Sequence, residues 1–266
     1  MKRPPADSGF ALLLVLWTLI PISLMFIGLT LAARSEAQLA ANLRGAAELE
    51  ALADGAIYTA VFDRMARGGP AGNSLVVTAG DAGVQVSVEV RSQSGLVNPN
   101  VAPAGLLRAL MVQLGSDPSQ ASAVAAGIVD WRTSVRSRGP SGPKAQPYLA
   151  AGLDHGPPGA PFETLEELGE VLGMTPDLLA ALVPYLTLYW DGNPDPAAAG
   201  AVVQGAMRDA RITGSRGPAN AQVIGVTATA QRPNGTQAAR HAVVRIGPSP
   251  NLRGWRVLAW GAGQGG

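Results

Sequence analysis

Residues 10–33, FALLLVLWTLIPISLMFIGLTLAA, contain no charged side chain, and this run constrains the fold more than any other stretch of the sequence. About 24 residues rising roughly 1.5 Å each give a helix of about 36 Å, long enough to cross a bilayer with some tilt. A discarded secretory signal normally carries only about 7 to 15 apolar residues before its cut site. The run is longer than that, although it closes on Leu31-Ala32-Ala33, so a cleaved signal stays open as a rival reading. Lys2 and Arg3 precede the run and favour the cytoplasmic side, which puts the residues after Ala33 across the membrane. Pro21 has no N–H to donate and crowds the carbonyl of Trp17, so a kink or loosened turn is expected there, with the Thr18 and Ser23 hydroxyls available to the freed groups.

Past this run, roughly 230 residues remain for folded structure, enough for one large domain or two small ones. The formal net charge of +1 gives no strong field to attract a polyanion. There is no cysteine, which removes disulfides, thiolate metal sites and cysteine nucleophiles together. The two histidines, His155 and His241, are far apart in sequence and read as solvated loop or strand residues.

Leu39, Leu43, Ala46, Leu49, Ala53, Ile57 and Ala60 recur every three or four residues, which continues the first helix to about Met65 with one apolar face. Arg44 and Glu48 form an i,i+4 pair on the other side, and RGGPAG ends the helix. VQVSVEVR alternates Val84, Val86, Val88 and Val90 with polar residues, the period of a strand with one buried face, and SLVVT precedes it as a partner. Near the C-terminus, AQVIGVTATA and AARHAVVRI flank QRPNGTQ, whose Asn234-Gly235 step supplies positive backbone angles for a tight hairpin. WRVLAW reads as a last strand. Between the strand groups the text is helical, with starts at Asp117-Pro118, at Thr164 with Glu167 three residues on, and at Thr175-Pro176. NPNVAPAG from Asn98 and NPDPAAAG from Asn193 echo one another and read as two similar helix caps.

Catalytic motifs are lacking: no H-E-x-x-H, phosphate loop, dinucleotide fingerprint or G-x-S-x-G occurs. Ser141-Gly-Pro-Lys144 has Ser-x-x-Lys spacing, but two Gly-Pro steps make it a loop. Glu163, Glu166, Glu167 and Glu170 read as a solvated helix start rather than a catalytic pair. Arg132, Arg136, Arg138 and Lys144 read as an exposed basic loop, and EVLGMTPDLLAAL as a helix pair packed through Leu168, Leu172, Leu178 and Leu182 rather than a grip on DNA phosphate.

The short basic leader ending at Gly9, followed by Phe10 and an unbroken apolar helix, resembles a type IV prepilin signal. In that family a membrane peptidase cuts after the glycine and the new N-terminus is methylated, which implies Gly9 and Phe10 as the processing residues. Most such subunits carry a glutamate at the fifth mature position, where this sequence has Leu14. Together with SGLVNPNVA, IVDWR, APFETLEELGEVLGMTPDLLAALVPYLTLY, AVVRI and VLAW, that departure is similar to the K-type minor pseudopilin of type II secretion systems. The resemblance implies an α+β fold: a long N-terminal transmembrane and periplasmic helix, and a pilin-like antiparallel sheet with an inserted, mainly α-helical domain. The expected division is a leader at 1–9, a transmembrane helix at 10–33, helix continuation and first strands at 34–97, the inserted domain at 98–192, and a helix with the closing strands at 193–266.

The function implied is initiating and capping the pseudopilus tip with the I-type and J-type minor pseudopilins and other pseudopilins, for protein export across the outer membrane. No enzymatic activity, cofactor or nucleic-acid partner is expected. The location implied is a single-pass inner-membrane protein, mostly periplasmic, that meets prepilin peptidase and later sits in the assembled pseudopilus. Some K-type proteins bind calcium in the loop after the Trp-Arg step. Asp130 matches that pattern, but Thr133, Ser134 and Ser137 replace the further acids, so no metal is expected. An exported soluble protein with a cleaved signal and a pilin-like DNA-uptake component are the alternatives.

Overall fold

The computed structural model describes residues 8–67, 74–78, 83–134, 145–214, 222–247 and 254–262. A single helix, α1 (Ser8–Arg67), runs unbroken through Pro21. After it come β1 (Ser74–Thr78) and β2 (Gln85–Ser92), then the helices α2 (Ala104–Gln113), α3 (Pro118–Arg132), α4 (Gln146–Ala150), α5 (Pro176–Leu182) and α6 (Ala201–Asp209). The last elements are β3 (Gln222–Gln231), β4 (Gln237–Ile246) and β5 (Trp255–Ala262). These strands form one antiparallel sheet in the order β1-β2-β3-β4-β5. The helices α2 to α6 all lie between β2 and β3 in sequence, so the helical part is an insertion between two neighbouring strands.

The strand alternation read from the sequence decides which face is covered. Val84, Val86, Val88 and Val90 are buried and meet Ile224, Val226, Ala228 and Ala230 of β3 and Ala242 and Val244 of β4 beneath Leu49, Ala53, Ile57, Ala60 and Val61 of α1. Each large side chain buried there contributes about 1.5–3 kcal/mol. On the opposite face Trp190 of the insertion packs on Val223 and Val243, while Gln85, Ser87 and Glu89 of β2 stay exposed.

Two starts follow the expected chemistry. Asp117 accepts from the backbone of Ser119 and Gln120 at the head of α3, and the Thr175 hydroxyl accepts from Leu178 N at the head of α5. At Thr164 the outcome differs. Glu167 does accept from the backbone N–H of Thr164 (3.0 Å) and Glu163, but Glu166–Glu170 is a single 3-10 turn, not an α-helix. Leu165, Leu168 and Val171, three residues apart, all pack into the helical core, and a repeat of three is the 3-10 period.

The β3–β4 hairpin also differs from its expected form. Only Gly235 has positive φ (+86°), and Asn234 does not. Pro233 fixes its own φ near −65°, which suits a type I turn, and the left-handed glycine completes a three-residue loop. Neither echo motif caps its helix: α2 and α6 begin behind Pro103 and Gly200 without a side-chain cap. The helical cluster also extends beyond residue 192, since Val203, Ala206 and Met207 of α6 pack into it.

Candidate assembly surface

Polar contacts pin the C-terminal half of α1 to the sheet. Arg232 Nη2 donates to Glu48 Oε2 (2.6 Å), Arg240 Nε to Asp54 Oδ1 (2.9 Å), and Arg64 Nε to Gln222 Oε1 (3.0 Å). The expected Arg44–Glu48 pair gives way to Glu48–Arg232. The Arg232 guanidinium lies over Gly45, where a Cβ would come within 2.8 Å of Nη1. Asp54 holds the Arg240 guanidinium above its ordinary pKa, through the hydrogen bond first and its charge second. Burial lowers that of Arg64. Edge strand β5 is fastened to α1 by rings: Tyr58 meets Trp255 and Trp260 at centroid distances of 6.0 and 5.1 Å, and Phe62 meets Trp255 at 6.3 Å.

Coverage of α1 stops where the hairpin tip reaches Gly45 and Glu48. The apolar stripe continues beyond it, so Leu39 and Leu43 are more than half exposed, unlike Leu49, Ala53 and Ile57 on the same stripe. Further along, every large apolar side chain described from Leu13 to Met25 is 52–80 % exposed, Leu14 among them at 53 %. A helix apolar on all sides is built to be surrounded. Gly9 and Phe10 lie in the first turn of α1, and their side chains are outside the described residues, as are those of 26–33. Among the described residues no helix is long and apolar enough to cross a membrane, and the run at 10–33 falls partly outside that set. The Thr18 hydroxyl donates to Val15 O (2.9 Å) and not to Trp17 O.

A second constellation lies at the root of the insertion. Asn98, 2 % exposed, donates through Nδ2 to Trp190 O (2.9 Å) and accepts from Asn100 N (2.8 Å). Asn100 exchanges two hydrogen bonds with the Phe162 backbone, at 2.9 and 2.7 Å. Arg132 donates to the carbonyls of Pro99 and Ala102, and burial lowers its pKa. Trp131 stacks on Phe162 with centroids 5.7 Å apart. SGLVNPNVA, IVDWR and APFE therefore meet in one place. Arg132, grouped from sequence with an exposed basic loop, is spent on this loop's backbone. Residues 135–144, with Arg136, Ser137, Arg138, Ser141 and Lys144, lie outside the described residues. Val97 also pairs with Leu186, and Asp195 N donates to Ser94 O (2.7 Å). Gly95 packs so closely that a Cβ would lie 2.2 Å from Ala198 O.

Asp130 is exposed on α3, on a different element from Leu14. Burial, aided by the Asp130 charge, raises the pKa of Tyr148, against the hydrogen bond its hydroxyl accepts from Leu172 N. The Thr133 hydroxyl donates to Val129 O (2.6 Å). No group of three or more His, Cys, Asp or Glu that could hold a metal occurs among the described residues. His155 is not simply solvated: its ring nitrogens lie 3.3 Å from Asp154 and 3.4 Å from Glu170, and the ring packs on Trp131 and Tyr148. The sequence signals missed were long-range ones, namely Arg232 over Gly45 and Asn98 beneath Trp190.

Residues 73–191 match the family model of type II secretion system protein K. No curated protein matches the sequence. A chain of the crystal structure of the GspK-GspI-GspJ complex from the enterotoxigenic Escherichia coli type 2 secretion system superposes with a TM-score of 0.61 at 16% identity, with 87% of this protein and 100% of that one covered. At that identity the likeness concerns the fold.

Proposed function

We propose, from the match of residues 73–191 to the family model of type II secretion system protein K, that the protein works as a minor pseudopilin at the tip of the pseudopilus. It initiates and caps assembly for export across the outer membrane. The family is a structural component of the secretion apparatus, and the work proposed is contact, not catalysis. The observation that carries the reading is the form of α1: its C-terminal half is docked on its own sheet, and the large apolar side chains described from Leu13 to Met25 are all exposed.

In this reading residues 10–33 anchor the protein in the inner membrane with the head in the periplasm. Gly9-Phe10 is the prepilin peptidase site, and Phe10 becomes the methylated N-terminus. Similarity to the solved complex supports I-type and J-type minor pseudopilins as partners. Leu14 fits a subunit with none ahead of it: a carboxylate in an apolar filament is costly unless a neighbour's amine awaits it. No cofactor or calcium is assigned, because Asp130 has too few acids around it in sequence for an ion that prefers six to eight oxygens.

N-terminal sequencing of the mature protein from cells tests this. A start at N-methylated Phe10, with secretion tolerant of Leu14→Glu, is expected. A start just beyond Ala33 would instead establish a discarded signal.

A further inference from the structure

We propose that Asn234, at the tip of the β3–β4 hairpin, is a site of spontaneous deamidation, and that the clamp between hairpin and α1 sets its rate. Asn234 is the one asparagine in the sequence followed by glycine, and both residues are exposed, so no Cβ at position 235 hinders attack by its backbone nitrogen. Hydroxide takes the Gly235 amide proton. The nitrogen then attacks Cγ of Asn234, an N–C bond forms, and the Cγ–Nδ2 bond breaks as Nδ2 takes a proton from water and leaves as ammonia, regenerating hydroxide. Water opens the resulting succinimide at either carbonyl to give aspartate or isoaspartate. The net change is amide plus water to acid plus ammonia, with nothing oxidised or reduced.

The turn assists one stage and restrains another. Thr236 N donates to Asn234 Oδ1 (3.0 Å), the oxygen on which negative charge gathers as the nitrogen adds, so a fixed donor already stands there. Gly235 N, however, donates to Arg232 O (3.0 Å), and Arg232 N to Thr236 O (2.9 Å). The nucleophile is therefore free only when the turn opens. Arg232 is also the residue held by Glu48 on α1, so that ion pair governs the opening. The comparison sites are poorer. Asn98 and Asn193 precede proline, which has no N–H, and both polar atoms of the Asn100 side chain are bonded to Phe162. An isoaspartate would add a backbone carbon to the loop and a carboxylate that competes with Glu48 for Arg232.

The test is to hold the full-length protein, in detergent micelles, in mildly alkaline buffer at body temperature and follow each asparagine by peptide mass mapping. Asn234 is expected to convert several-fold faster than Asn100, faster again in Glu48→Gln, and to both aspartate and isoaspartate. Retention of the amide at Asn234 for as long as at Asn100 would overturn the site. An unchanged rate in Glu48→Gln would overturn the role of the clamp.

Discussion

Asn98 at the root of the insertion and His241 within the sheet are each held by side-chain hydrogen bonds. Asn98 uses both ends of its amide while buried, and removing a partner from a buried hydrogen bond costs about 1–3 kcal/mol. Asn98→Ala should therefore lower unfolding free energy in urea by about that amount, whereas a change within about 0.5 kcal/mol, ordinary for a surface site, would deny it this role. His241 on β4 has Nδ1 3.0 Å from Thr227 Oγ1, and Gln93 is packed over neighbouring Gly225. Burial lowers its pKa from 6.5. In the window below 6.5 and above the folded value, the unfolded state binds the proton more readily, so stability falls as pH falls. Denaturation curves taken from neutral to mildly acid pH should show that loss in the wild type and a shallower one in His241→Gln. Equal slopes would count against the assignment.

At the scale of elements, α1 is one helix with two environments, and a matched pair of substitutions separates them. Leu49→Ala should cost about 2–5 kcal/mol, as for a buried leucine that leaves a cavity. Leu43→Ala, nearer the N-terminus on the same stripe, should change the head's stability by less than about 0.5 kcal/mol; urea unfolding of both reads the contrast, and a similar loss in each would mean that coverage extends beyond the hairpin tip. Periodicity could not tell these leucines apart, because it reports which face is apolar and not how far the covering sheet reaches. The same limit runs through the rest. Strand alternation, the α3 and α5 caps and the helix end at Arg67 were legible because each is set by neighbours in sequence. The Glu48–Arg232 pair and the use of Arg132 depend on residues far away along the sequence, whereas the 3-10 turn at Glu166–Glu170 has a local sign in the spacing of Leu165, Leu168 and Val171. At the hairpin, Asn234-Gly235 was read and Pro233, which selects the turn, was not. For the proposed assembly surface, the sequence displayed Gly9, Phe10 and Leu14 as a motif, but the head's contribution, the rings joining α1 to β5, has no local signature.

At the scale of the whole molecule, the insertion leaves and re-enters the sheet at paired positions, since Ser92 lies opposite Ile224. Pairing β2 with β3 directly would close a loop as long as the whole insertion, and closure entropy grows as the logarithm of that length. The contacts at the root shorten the problem. Val97 on Leu186, Asn98 on Trp190 and Ser94 on Asp195 bring the two ends together as soon as the helical part has formed. Loop-closure entropy predicts an order in time: the insertion folds first, as a clasp, and β2 then finds β3 across a loop shortened from the whole insertion to the stretch after Asp195. Asn98→Ala should accordingly slow refolding more than it speeds unfolding in stopped-flow measurements. A domain placed in the middle of a sheet would in this way be the step that lets the sheet close.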